Sequence, residues 1–187
     1  MEQILDGNLV EKEAVQYEFA GFWLRFFALL IDGIIIGSIS TAVLYLNLGG
    51  WKNYWLQLIV TLLVAAYKPF CEFSYGATIG KKAMKIKVVN ENFEPLSLQN
   101  ALLRDIFSLV QEAISIVYFS RVFFSKSIDS VDSFSSYTHV LSSMNFYVAT
   151  RGLVGILIII DVIYFLVNSQ HRALHDLIGK TFVIQQQ

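Results

Sequence analysis

The chain has 187 residues and a formal net charge of −1, with 14 Lys and Arg against 15 Asp and Glu, so it lacks the basic excess that a nucleic-acid partner requires. Only 16% of residues are charged and 55% are hydrophobic, with mean hydropathy +0.55, whereas a soluble domain carries about 25% charged residues. This composition predicts an integral membrane protein of one compact domain, with the lipid bilayer as its first partner. The single Cys71 cannot form an internal disulfide and reads as a small apolar residue near a helix end.

Residues 1–18 are polar and acidic (Glu2, Asp6, Glu11, Glu13, Glu18) and read as a loose cytosolic tail, since a secretory signal begins basic and then turns apolar. Residues 19–187 are expected to form one domain. Its first span, about 26–48, is apolar over the length of about 20 residues that a bilayer demands. Phe19, Phe22 and Trp23 precede it, where aromatic rings favour the headgroup level. Asp32 interrupts this span and Arg25 stands at its mouth. They lie two helical turns apart on one face, roughly 10 Å along the axis, and so are expected to pair. An ionisable group inside a membrane helix costs about 2.5–3.5 kcal/mol on insertion scales, which predicts that this face looks into protein or a wet cavity.

Gly49-Gly50 is expected to end the first helix, with Trp51, Tyr54 and Trp55 at the opposite interface. The second span covers about 55–73, and Lys68-Pro69 predicts a kink or an early exit. Residues 74–100 are basic and predicted as a loop. GATIGKK within it is not a phosphate loop: three residues rather than four separate Gly76 from Gly80, and Lys82 follows Lys81 where Ser or Thr belongs. KIKVV (Lys85–Val89) alternates as a short strand, NEN is a turn, and Ser97 is an N-cap. One helix is then expected from Leu98 to about Phe124, with a polar stripe of Arg104, Ser108, Gln111 and Ser115 flanked by Asp105 and Glu112. Residues 104–124 are taken as the third span; the alternative lays its first half flat in the interface. Ser125–Thr138 is serine-rich without helical period and reads as a loop. The last span, about 146–167, carries Asp161, and the chain closes on a short helix and a strand-like TFVI at Thr181–Ile184.

With both termini and residues 74–100 in the cytosol, ten Lys and Arg lie inside and four outside, as the positive-inside rule requires. The expected architecture is an all-α membrane protein: a four-helix transmembrane bundle with a small cytosolic β-hairpin or sheet. KIKVV and TFVI are the strand-like runs outside the spans and are expected to pair, which would bring Asp176 against Lys81 or Lys82 as a clamp.

Asp32, Glu112 and Asp161 each fall six residues from the cytosolic end of a span, roughly 9 Å deep at 1.5 Å per residue. Three carboxylates at one depth can share protons or a cation, because neighbouring charges shift one another's affinity for protons; Arg25 or Arg104 is their natural partner. The structural alternative has Arg25 and Asp32 pin helix packing. His171 and His175, four residues apart beside Asp176, lack a third strong metal ligand, so no metal and no cofactor is expected. Opposed aspartates, Asp32 and Asp161, are all that would serve an intramembrane hydrolase, and an enzyme is not expected.

Three blocks together resemble the RDD family of small bacterial membrane proteins. GFWLRFFALLIDG carries Arg25 and Asp32 as its arginine and first aspartate. SYGATIGKKAMKIKVV carries Gly76, Gly80 and Lys81, and HRALHDLIGKTFVI carries His175, Asp176 as the second aspartate, and Thr181. The chain departs from the family at Lys180, where glycine usually precedes the threonine, and in the long serine-rich segment 121–145. The resemblance implies the bacterial cytoplasmic (inner) membrane and transport of a small ligand, or coupling of H+ to alkali cations. A non-transporting assembly or accessory role is its alternative, and a homo-oligomer stays open.

Overall fold

Four helices are long and apolar enough to cross a membrane: Phe22–Trp51, Tyr54–Tyr75, Ile106–Phe123 and Tyr147–Val167. The structure is a computed structural model that describes residues 17–125, 128–129, 131, 133–168 and 172–186. Residues 1–16 of the expected tail lie outside it.

Helix α1 (Phe22–Leu46) runs on into a π turn at Asn47–Trp51, so the break expected at Gly49-Gly50 falls later. Lys52 takes a left-handed conformation (φ 46°), and the Asn53 side chain caps α2 (Tyr54–Tyr75) by accepting from the N–H groups of Trp55 and Leu56. The buried Asn47 fixes this turn by accepting from the Asn53 N–H and donating to the Asn53 carbonyl. Helix α2 continues through Pro69, correcting the early exit, and stops at Gly76. There φ is +71°, and a Cβ would lie 2.5 Å from the Lys87 side chain, so both backbone and space require glycine.

The expected loop through GATIGKK instead contains helix α3 (Ile79–Ala83), whose N-cap Thr78 accepts from the Lys81 N–H. Strand β1 (Ile86–Asn90) follows. Its NEN turn closes as expected, with the Asn90 side chain accepting from the N–H groups of Asn92 and Glu94. Ser97 caps α4 (Leu98–Arg104), and α5 (Ile106–Phe123) starts afresh after Asp105. The single helix expected from Leu98 to Phe124 is therefore two, and the third apolar helix begins at Ile106 rather than at 104. The break sends two adjacent buried side chains, Arg104 and Asp105, to different partners.

Part of the predicted serine-rich loop is helix α6 (Phe134–Ser142), started by a capping box between Ser133 and Ser136. Its Tyr137 and Leu141, one turn apart, are buried, which gives the helix its tertiary support. Helix α7 (Asn145–Val167), α8 (Leu174–Ile178) and β2 (Thr181–Gln185) complete the chain.

Strands β1 and β2 pair antiparallel, with Val88 opposite Val183, as expected. Helices α4 to α8 separate them in sequence, so they form a two-stranded sheet and not a hairpin. Phe19 bridges Ile184, which ties the start of the domain to this sheet. One core cluster, with Ala20, Ala28, Ile86, Val88, Leu96 and Val183, lies at the sheet end. A second, with Leu48, Tyr118, Val122, Phe123, Tyr137 and Leu141, lies at the far end of the helices. Between them the outer faces of α1 and α7 stay exposed, at Leu29, Ile34, Ile39, Ile156, Ile159 and Leu166 among others.

Candidate functional site

A chain of opposite charges crosses the sheet end of the bundle. Asp176 on α8 is fully buried and meets Arg25 of α1 at 2.5 Å and Arg104 of α4 at 2.9 Å. It also accepts from the Ala173 N–H at 3.0 Å. Arg104 reaches on to Glu72 of α2 at 3.1 Å and donates to the Thr181 hydroxyl at 2.9 Å. It holds Glu72 and Asp176 at ion-pair distance rather than through aligned hydrogen bonds. Glu72 in turn pairs with Lys81 of α3. Five elements are thus bolted together by charges that burial would otherwise penalise. Such pairs contribute little net stability but cost heavily when one member is lost.

Burial alone would raise the Asp176 carboxyl, but Arg104, His175 and Arg25 outweigh it and hold that group well below the usual carboxylate range. Burial also pulls the Lys81 ammonium down to about 8 against the pull of Glu72, which still leaves it charged at neutral pH. Gly179 permits this packing: a Cβ there would lie 2.6 Å from the Arg104 side chain. Lys180, where the family usually has glycine, adopts φ 52°, the left-handed conformation that glycine reaches at least cost.

The expected Arg25–Asp32 pair is not made. Arg25 turns to Asp176, and Asp32 accepts from three neutral donors: the Tyr67 hydroxyl at 2.8 Å, the Thr78 hydroxyl at 2.6 Å and the Gly80 N–H at 2.8 Å. The spacing put both side chains on one face correctly, but α3 docks against that face and satisfies the aspartate itself. The clamp expected between Asp176 and Lys81 or Lys82 is also absent. Lys81 goes to Glu72, and Lys82 lies 4.0 Å above the Tyr75 ring.

Asp32, Glu112 and Asp161 do converge, lining one cavity of about 560 Å³ together with Arg25, Lys68, Lys81 and Arg104. Asp161 accepts from the His175 N–H at 3.1 Å and lies 2.8 Å from its ring Nδ1. Glu112 is half-buried on α5 and makes no hydrogen bond or ion pair among the described residues. Lys68 is held by Asp105 at 2.5 Å. Two parts of this site escaped the sequence reading, Glu72 and the Lys68–Asp105 pair. The signal was available for both, since Lys68 and Glu72 stand one turn apart in an apolar helix. His171, one of the pair weighed as metal ligands, lies outside the described residues. Among the described residues no three His, Cys, Asp or Glu side chains could hold a metal ion.

This arrangement defines a class: a small protein of four membrane-length helices, closed at one end by a two-stranded sheet and a buried charge network. Residues 19–180 match the model of the RDD family, and the chain belongs to that family. It is similar to the uncharacterized protein YxaI of Bacillus subtilis (strain 168), at 29% identity over 42% of this chain and 68% of that protein. No solved structure matches the chain.

Proposed function

We propose that this protein spans the bacterial cytoplasmic membrane four times, with both termini and the sheet on the cytosolic side, and exchanges a cation for protons through the cavity between its helices. The exposed apolar faces of α1 and α7 support insertion, because soluble monomers rarely leave contiguous apolar surface of that kind in water. The ten-to-four distribution of Lys and Arg supports the orientation. A cysteine at Lys82, exposed on α3, in a Cys71→Ser background should stay unlabelled by an impermeant maleimide in intact cells and react after permeabilisation. Labelling in intact cells would invert the topology.

The observation that carries the exchange reading is that Asp32, Glu112 and Asp161 line one cavity while no Lys or Arg among the described residues pairs with any of them. Carboxylates without a fixed counter-ion can take protons or a cation in turn. The reading requires no cofactor and no enzymatic step. In proteoliposomes with a trapped pH dye, Na+, K+ or Li+ gradients should move protons, and Glu112→Gln or Asp161→Asn should abolish the movement. Silence with every cation, from protein that melts cooperatively, would overturn it. A specific observation favours a second reading, a non-transporting assembly role: the family residues Arg25, Asp32 and Asp176 are all engaged in holding elements together. Co-purifying partners alongside silent vesicles would favour it.

A further inference from the structure

We propose that the cavity accepts an amphipathic organic cation of the quaternary ammonium or phosphonium type, and that Glu112 is the carboxylate that meets its charge. This rests on the exchange reading and names its substrate class.

The cavity's volume of about 560 Å³ lies within the range of small-molecule sites, roughly 300–1,000 Å³. Among the described residues no three His, Cys, Asp or Glu side chains gather to hold a metal ion, so an alkali ion entering here would keep part of its water, whereas an organic cation has none to lose. The walls suit an organic body. Phe22, Phe26, Phe165, Leu29, Val64 and Ile158 line them. The Phe22 ring lies 6.0 Å from Phe26 and 6.1 Å from Phe165, and the Arg25 guanidinium already stacks 4.8 Å above Phe165. These rings present the faces that attract onium groups, and one of them holds a cation now.

Charge selects the sign. Arg25, Lys81, Arg104 and Lys68 are committed to Asp176, Glu72 and Asp105. Asp32 is satisfied by neutral donors and Asp161 by His175. Glu112 remains, one turn beyond the Ser108 that shares its cavity face, and the exposed Arg151 of α7 forms no ion pair with it. An anion entering here would face three carboxylates, and the four cations that line the cavity (Arg25, Lys68, Lys81 and Arg104) are already engaged, whereas an organic cation would complete the site.

Tetraphenylphosphonium and tetraphenylborate have one shape and opposite charge. Equilibrium dialysis of the purified full chain in detergent should show the phosphonium bound about tenfold or more tighter than the borate. Glu112→Gln should remove that preference without lowering the melting temperature, because Glu112 makes no bond that folding depends on. Equal binding of the two ions, or a preference that survives Glu112→Gln, would overturn the inference. The two readings fail separately. Alkali-driven proton movement with no phosphonium binding would sink the organic cation and leave exchange standing. Phosphonium bound through Glu112 with no proton movement in any vesicle would do the reverse.

Discussion

Arg104→Ala should lower stability by about 3–5 kcal/mol, seen as a large fall in melting temperature of the purified protein in detergent. Arg104 is 3% exposed and lies between Glu72 and Asp176, themselves 1% and 0% exposed. Its loss strands two carboxylates with no water to replace the guanidinium, and leaves the Thr181 hydroxyl without its donor. Arg104→Lys should recover only part of the loss, because one ammonium cannot span two carboxylates as a planar fork does. Adding Glu72→Gln to Arg104→Ala should restore stability relative to the single variant, since it removes one stranded charge; a purely additive double variant would show that the two do not interact. Arg121→Ala, at the exposed end of α5, should change little.

The long-range frame was legible where the signal is one-dimensional. Apolar length marks the four helices to within a few residues, and the two strand-like runs outside them had only each other to pair with. Partners of the charges were not legible, because they depend on which element lands beside which. The spacing of Arg25 and Asp32 fixes a common face but not the arrival of α3 on Asp32 or of α8 on Arg25. Glu72 went unread near the end of the second span, and only the folded chain places Lys81 and Arg104 against it. Helix α6 hid in serine-rich composition because two buried side chains, Tyr137 and Leu141, sustain it rather than a continuous apolar stripe.

The residues that name the family divide between two tasks. Arg25 and Asp176 join α1 to α8 and, through Arg104, to α2 and α4. Asp32 fastens α3 to α1 and still lines the cavity. Glu112 and the Asp161–His175 pair are less constrained, so the exchange proposed above would fall on carboxylates that do not hold the fold.

Gly80→Ala tests the docking of α3 most directly, and should destabilise the protein by about 3 kcal/mol, at the upper end of the usual cost of overpacking. A Cβ at that position would lie 2.0 Å from the Ala28 carbonyl oxygen and 2.9 Å from Asp32 Cγ. The first obstacle is backbone, so no rotamer change relieves it and α3 must back away from α1. That retreat breaks the 2.8 Å bond from the Gly80 N–H to Asp32 and draws Thr78 from its own 2.6 Å contact with the same carboxylate. Lys81, next in the chain, would then lose its grip on Glu72, carrying the damage into the charge network. Gly37→Ala is the control, because a Cβ there meets nothing within 4 Å and alanine favours a helix interior. A comparison of melting temperatures should show a large drop for Gly80→Ala and none for Gly37→Ala. Asp32→Asn should fall between them, since its amide oxygen can keep Tyr67 and Gly80 while the Thr78 hydroxyl turns to accept. A Gly80→Ala protein as stable as the parent would mean that α3 is not seated against Asp32.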